Sequence, residues 1–175
     1  MWLLERLAKW RRRRQLMSEF TAIQRPDGSR MIVDQATLEY MRSTAPSPTQ
    51  ASLDTVLGQV VGVRVFANGA HKDSLIGEDV LLAEVDDRDS VTALGRALRI
   101  VDGPSGHCMC YGGPTLELLA PNNRRLTLLT VHHGQSIRWA AWKDDASLVD
   151  PSTLAAWLAD RGSPSSEADV PKGTA

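Results

Sequence analysis

Three short stretches follow one another between Thr115 and Ala140 with almost nothing between them. Thr115 to Leu119 alternates, with Leu116 and Leu118 on one side and Glu117 on the other. Leu126 to His132 returns after the turn residues Pro121-Asn122-Asn123. Ser136 to Ala140 follows the tight turn Gly134-Gln135, with Ile137 and Trp139 on one side and Arg138 on the other. A parallel crossover needs about a dozen residues, and none of these connections has room for one. The region is therefore predicted as a three-stranded antiparallel meander, and that constrains what the rest of the chain can build around it.

Upstream, Val60 to Ala67 is rich in β-branched residues, and the spacing of two puts Val61, Val63 and Val65 on one face of a predicted strand. Asn68 to Asp79 reads as a polar loop and Val80 to Val85 as a second strand. Asp86 or Asp87 then caps a helix to about Arg99, with Val91, Leu94 and Leu98 as its apolar stripe. Val101 to Gly106 contains Asp-Gly-Pro and breaks the chain. A last helix starts at the Asp150-Pro151 cap, turns Leu154, Trp157 and Leu158 inward and closes at Gly162. The order strand, strand, helix, meander, helix predicts the α+β class. It implies an antiparallel sheet of about five strands with a C-terminal three-stranded meander and helices packed on one face. A doubly wound parallel sheet would need strand and helix to alternate throughout.

With 175 residues, 42% of them hydrophobic, the chain suits one domain with extended ends. Residues 53–162 form the predicted α+β domain. Residues 43–52 (STAPSPTQAS) read as a linker. Residues 17–42 form a small N-terminal segment. In it the turn Arg25-Pro26-Asp27-Gly28-Ser29 predicts a hairpin, and Asp34 caps a short helix through Arg42 that buries Leu38 and Met41. Residues 163–175 are rich in Ser, Pro and Gly and read as a disordered tail.

The net charge of −1 hides an asymmetry. Residues 1–16 carry Arg6, Lys9 and Arg11 to Arg14 against Glu5 alone, and Leu3, Leu7 and Trp10 share one helical face. Such a basic amphipathic segment fits an anionic membrane surface. The plainer reading takes Met17 as the start and the first sixteen residues as a gene-model extension. The remainder is acidic, which argues against nucleic acid as a partner. No apolar run approaches the ~20 residues of a membrane span, and no secretory h-region is present. Two cysteines one residue apart close no useful structural loop, so they are expected as reduced thiols in a cytoplasmic, or at most membrane-peripheral, protein.

Both cysteines and three of the four histidines lie between His107 and His133. In an extended run Cys108 and Cys110 point one way, and His107 and Met109 the other. Three readings stand open. In the first the thiols are small hydrophobes packed under the sheet. In the second they are soft-metal ligands: zinc takes four thiolate or imidazole donors, and Cys108, Cys110, His132 and His107 are the candidates. The adjacent His132 and His133 should not both join, because strand neighbours face opposite ways. In the third a Cys nucleophile works with a His base oriented by Asp102 or Glu117, and thiol redox chemistry is what remains beside these. Gly112-Gly113-Pro114 lacks the Lys and the following helix of a phosphate loop. His71, with Lys72 and Asp73, reads as exposed, and Lys143 to Asp145 as a solvated turn. His133, Arg138 and Trp142 are the candidates for ligand or partner contact, an Arg between aromatic faces being suited to anions or interfaces.

The motifs H-C-x-C-x-G-G from His107, H-H-G-x-x-I-R-W-x-x-W from His132, and L-x-D before a helix with Trp157-Leu158 resemble a set of uncharacterised proteins from high-GC bacteria. The resemblance covers about Val85 to Gly162 and implies no activity, cofactor or catalytic residue. More loosely, the helix, Cys-containing turn and meander look like small bacterial inhibitor or immunity-type modules. The expectation is a small binding or protein-interaction module without catalytic activity, its partner a protein or small ligand. The alternative is a zinc-binding or thiol-dependent enzyme centred on Cys108, Cys110 and His132.

Overall fold

The structure, a computed structural model, describes residues 20–24, 28–34, 38, 40, 42–71, 74–108 and 110–163. The chain divides into two compact units, residues 1–44 and residues 45–175. In the first, β1 (Phe20–Gln24) pairs antiparallel with β2 (Arg30–Asp34), Ile23 opposite Met31, which is the predicted hairpin. Leu38, Tyr40 and Arg42 are helical and Leu38 is buried. The basic segment 1–16, the Pro26-Asp27 turn, the side chains of Asp34 and Met41, and the tail beyond Ser163 lie outside the described residues.

The second unit is α+β. Its elements are α1 (Gln50–Leu57), β3 (Gly62–Phe66), the two-residue strands β4 (Ala70–His71) and β5 (Ser74–Leu75), β6 (Leu81–Val85), α2 (Arg88–Ala97), β7 (Thr115–Ala120), β8 (Arg124–His132), β9 (Ser136–Trp139), β10 (Ala146–Ser147) and α3 (Pro151–Ala159). The main sheet has six strands in the order β10-β9-β8-β7-β3-β6. Every pairing is antiparallel. The meander is present as β7, β8 and β9, and it continues into β10, one strand beyond the prediction. No described helix is long and apolar enough to cross a membrane.

The register decides what each sheet face carries. Val63 lies opposite Leu118 and Val85, Val65 opposite Leu116, Leu116 opposite Leu129, and Val131 opposite Ile137. These residues form one core with Leu53 of α1, Leu94 and Ala97 of α2, Leu98, and Leu154, Trp157 and Leu158 of α3, so all three helices cover the same face. The helices start where the cap chemistry puts them. Asp87 accepts from Ser90 N at 2.8 Å, and Asp150 accepts from Ser152 N and Thr153 N at 3.1 and 3.3 Å.

Two expectations are corrected, for residues 43–52 and 68–79, and Val61 departs from the burial of Val63 and Val65. Residues 43–52 are not a free linker. Thr49 caps α1 by accepting from Ser52 N at 3.2 Å, and the carbonyls of Pro46 and Pro48 accept from Lys143 N and Gly103 N at 3.0 and 2.9 Å. Ser, Thr and Pro suit a helix start as well as a linker, and composition alone does not separate the two. Val61 is 49% exposed, because it lines an open groove between α1 and α2 with Leu57, Val60 and Val91. The polar loop Asn68 to Asp79 contains the small β4–β5 hairpin.

The face away from the helices is not a solvated polar surface. Thr115, Glu117, Thr130 and His132 are all buried. Glu117, predicted outward, is closed in by Arg64 at 3.4 Å and by Arg125. At the other end of β8, the segment before β7 folds back across Thr130 and His132. Gly113 N donates to Val131 O at 2.8 Å and Val131 N to Pro114 O at 2.9 Å. This folded-back segment carries both cysteines.

Candidate metal centre

His132 is the last residue of β8, on the face opposite the helices, and it is 0% exposed. Its Nδ1 lies 3.0 Å from Cys108 Sγ and 3.3 Å from Cys110 Sγ. Among the described residues, Cys108, Cys110 and His132 form a group that can hold a metal ion, each offering one donor atom within 4.8 Å of the others. Burial, reinforced by the positive charge of Arg138, pushes the His132 pKa down to about 4. The ring is therefore neutral at pH 7, with a lone pair available on one nitrogen. Its Nε2 is buried and has no hydrogen-bond partner among the described residues.

Arg138 sets the position of the thiol segment. It projects from β9 on the same face as His132 and donates to Cys108 O at 2.6 Å and to Cys110 O at 3.0 Å. Its other edge is held by Asp145, Nε to Oδ1 at 2.7 Å and a terminal nitrogen to Oδ2 at 2.9 Å. Asp145 is 3% exposed. Its backbone binds the loop again: its carbonyl accepts from Ser105 N and Ser105 Oγ at 3.0 and 2.8 Å, and its N–H donates to Gly106 O at 2.9 Å. One guanidinium with its carboxylate thus fixes both carbonyls of the Cys-x-Cys segment over the sheet.

Gly112 completes the cradle. It has φ +69°, and a Cβ there would lie 2.6 Å from Val131 O and 2.7 Å from His132 Nε2, so only glycine lets the backbone pass so close to the imidazole. The hairpin turn matters equally. His133 and Gly134 have φ +51° and +64°, as the mirror-image hairpin turns require.

Cys108 and Cys110 are bonded as a disulfide, with Cα atoms 5.5 Å apart, within the usual span for such a bond. The structure holds the pair oxidised where two reduced thiols were expected: drawing both carbonyls onto one guanidinium turns both sulfurs to the same point. His133 also differs from expectation. Strand alternation should turn it away, but the strand ends at His132 and the left-handed φ swings the His133 ring to 3.5 Å from Cys110 Sγ. His107 does not join the three donors. Its Nδ1 faces Asp145 Oδ1 at 3.9 Å, and burial, with Arg138 nearby, lowers its pKa.

The other candidates fall elsewhere. Trp142 is buried, donates from Nε1 to Ser52 Oγ at 3.0 Å and meets Trp139 edge to face at 5.0 Å. It seals the core and is not a contact surface. Asp102 caps α1 through Gln50 N at 2.6 Å, and Glu117 is tied to arginines, so neither orients His132. His71 is exposed and meets the ring of Tyr111 edge-on at 6.3 Å. Asp145 is the functional residue that sequence reasoning misses. The signal is the β9–β10 register: with Ala146 opposite Ile137, the preceding Asp145 falls beside Arg138.

The chain matches no family model, no curated protein and no solved structure.

Proposed function

We propose that this protein is a small binding module whose working part is a thiolate–imidazole metal site, with Cys108, Cys110 and His132 as ligands and zinc as the metal. The approach of one neutral imidazole nitrogen to both sulfurs, at 3.0 and 3.3 Å, carries this reading. Zinc accepts Cys and His donors together and imposes little geometry of its own. Two thiolates cancel its charge, so the site needs no further anion. Three protein donors leave a fourth position, and His133, 3.5 Å from Cys110 Sγ, is the side chain nearest to filling it; otherwise the position takes water or a ligand.

Metal binding requires both sulfurs as thiolates, and the disulfide removes both. Zinc and the Cys108–Cys110 bond are therefore alternative states of one site. The test is elemental analysis of untagged protein, reduced, equilibrated with zinc and passed over a desalting column. The reading predicts about one zinc per chain, lost in a Cys108→Ser/Cys110→Ser double variant and after oxidation to the disulfide. Folded, fully reduced protein that retains no zinc contradicts it.

A further inference from the structure

The same residues in the oxidised state point to a second activity, which does not depend on the metal. The Cys108–Cys110 bond has different surroundings at its two ends. At Cys108 the Arg138 guanidinium lies 3.7 Å from Sγ, and the same nitrogen donates to the Cys108 carbonyl at 2.6 Å. At Cys110 Arg138 reaches the carbonyl, at 3.0 Å, while Sγ has His132 at 3.3 Å, a contact shared with Cys108, and His133 at 3.5 Å on the exposed side of the turn. Both cysteines are half-buried, which admits a small thiol. Tyr111, 55% exposed, stands beside Cys110 in the chain at the solvent side.

From this asymmetry we infer that the oxidised Cys108–Cys110 pair accepts electrons from a low-molecular-weight thiol by thiol–disulfide exchange, with Cys110 as the sulfur attacked and Cys108 as the sulfur that leaves. The incoming thiol gives its proton to solvent, and its sulfur forms a bond to Cys110 Sγ. The Cys108–Cys110 bond breaks, and its electron pair goes to Cys108 Sγ, where the guanidinium faces the new thiolate. A second thiol, also losing its proton to solvent, attacks the small-molecule sulfur of the mixed disulfide and releases Cys110 as a thiolate. Two thiols are oxidised to one disulfide, and one protein disulfide is reduced. Rates in such exchange depend on which sulfur is attacked and on how well the departing thiolate is stabilised. Arg138 therefore acts on the direction of the reaction as well as on the shape of the loop.

The experiment uses the full oxidised chain, zinc-free, and reduced glutathione as the probe. The reaction is quenched early with acid and the freed thiol is alkylated. Peptide mapping by mass spectrometry then locates the two labels. The expected result is glutathione on Cys110 and the alkyl group on Cys108 in the large majority of singly reacted molecules. With Arg138→Gln, the reaction should slow on the order of tenfold, a charge-assisted contact being lost, and the glutathione should spread over both sulfurs. Loss of structure would not produce such a shift in position in a variant whose circular dichroism is unchanged. Glutathione mainly on Cys108 of the wild type, or no adduct on the native chain under conditions that react with the unfolded chain, overturns the inference. Zinc retention by the reduced protein is a separate readout, so the two readings fail independently.

Discussion

Arg138 and Asp145 meet through two hydrogen bonds of 2.7 and 2.9 Å across the β9–β10 hairpin, and only 5% of the Asp145 side chain is exposed. Removing one partner of such a pair strands a buried charge and costs about 3–5 kcal/mol. Arg138→Met and Asp145→Ala should each lose stability on that scale in denaturant unfolding. Because the two groups act as a unit, the double variant should lose less than the sum. Additive losses would mean that the pair does not hold the loop.

Gly112 is strained for any other residue on two grounds: its φ of +69° and its closeness to Val131 O and His132 Nε2. Gly106 supplies the comparison, with φ +96° and nothing near its missing Cβ. Gly106→Ala should cost about 1–3 kcal/mol for the backbone alone. Gly112→Ala should cost more and should also weaken zinc retention by moving the imidazole. Equal stability losses with equal zinc retention would remove Gly112 from the account of the site.

Val61, just before β3, and Val63 within it have the same parity but different fates. Val63 is fully buried, and Val61 lines an open groove. Val63→Ala should cost roughly 1–3 kcal/mol, and Val61→Ala should stay within about 0.5 kcal/mol. Thermal or denaturant unfolding of the pair is the check, and similar losses would contradict the placement of Val61.

Asp150 caps α3 by accepting from Ser152 and Thr153, and those bonds lower its pKa to about 2. A lowered folded-state value means that the ionised cap stabilises the fold above the ordinary carboxylate pKa of about 4. That contribution is lost as pH falls through 2. Asp150→Asn should therefore lower the melting temperature above pH ~4, and the gap should close toward pH 2. A gap independent of pH would mean that the charge contributes nothing.

Much of the fold was legible because the relevant signals are local. Short connections force the meander, Asp150-Pro151 marks a helix start at the residue observed, and Asp87 is one of two adjacent aspartates that could mark the other. What was misread depends on groups far apart in sequence. Thr49 could be a linker residue or a cap until Leu53 is seen at the core. The run Lys143 to Asp145 looks solvated until β10 pairs with β9 and sets Asp145 against Arg138. His133 follows from strand alternation only if the strand continues, and the turn stops it. Cys108, Cys110 and His132 were legible as a cluster because one hairpin separates them. The disulfide was not, because the guanidinium that gathers both carbonyls comes from residue 138.

X-ray absorption at the zinc edge of reduced, zinc-loaded protein tests most directly whether Cys108, Cys110 and His132 bind one metal. The expected first shell has two sulfur neighbours at about 2.3 Å, with nitrogen or oxygen neighbours at about 2.0–2.1 Å filling the remaining positions. His132→Gln should retain the sulfurs and lose imidazole scattering. A first shell without sulfur would contradict it.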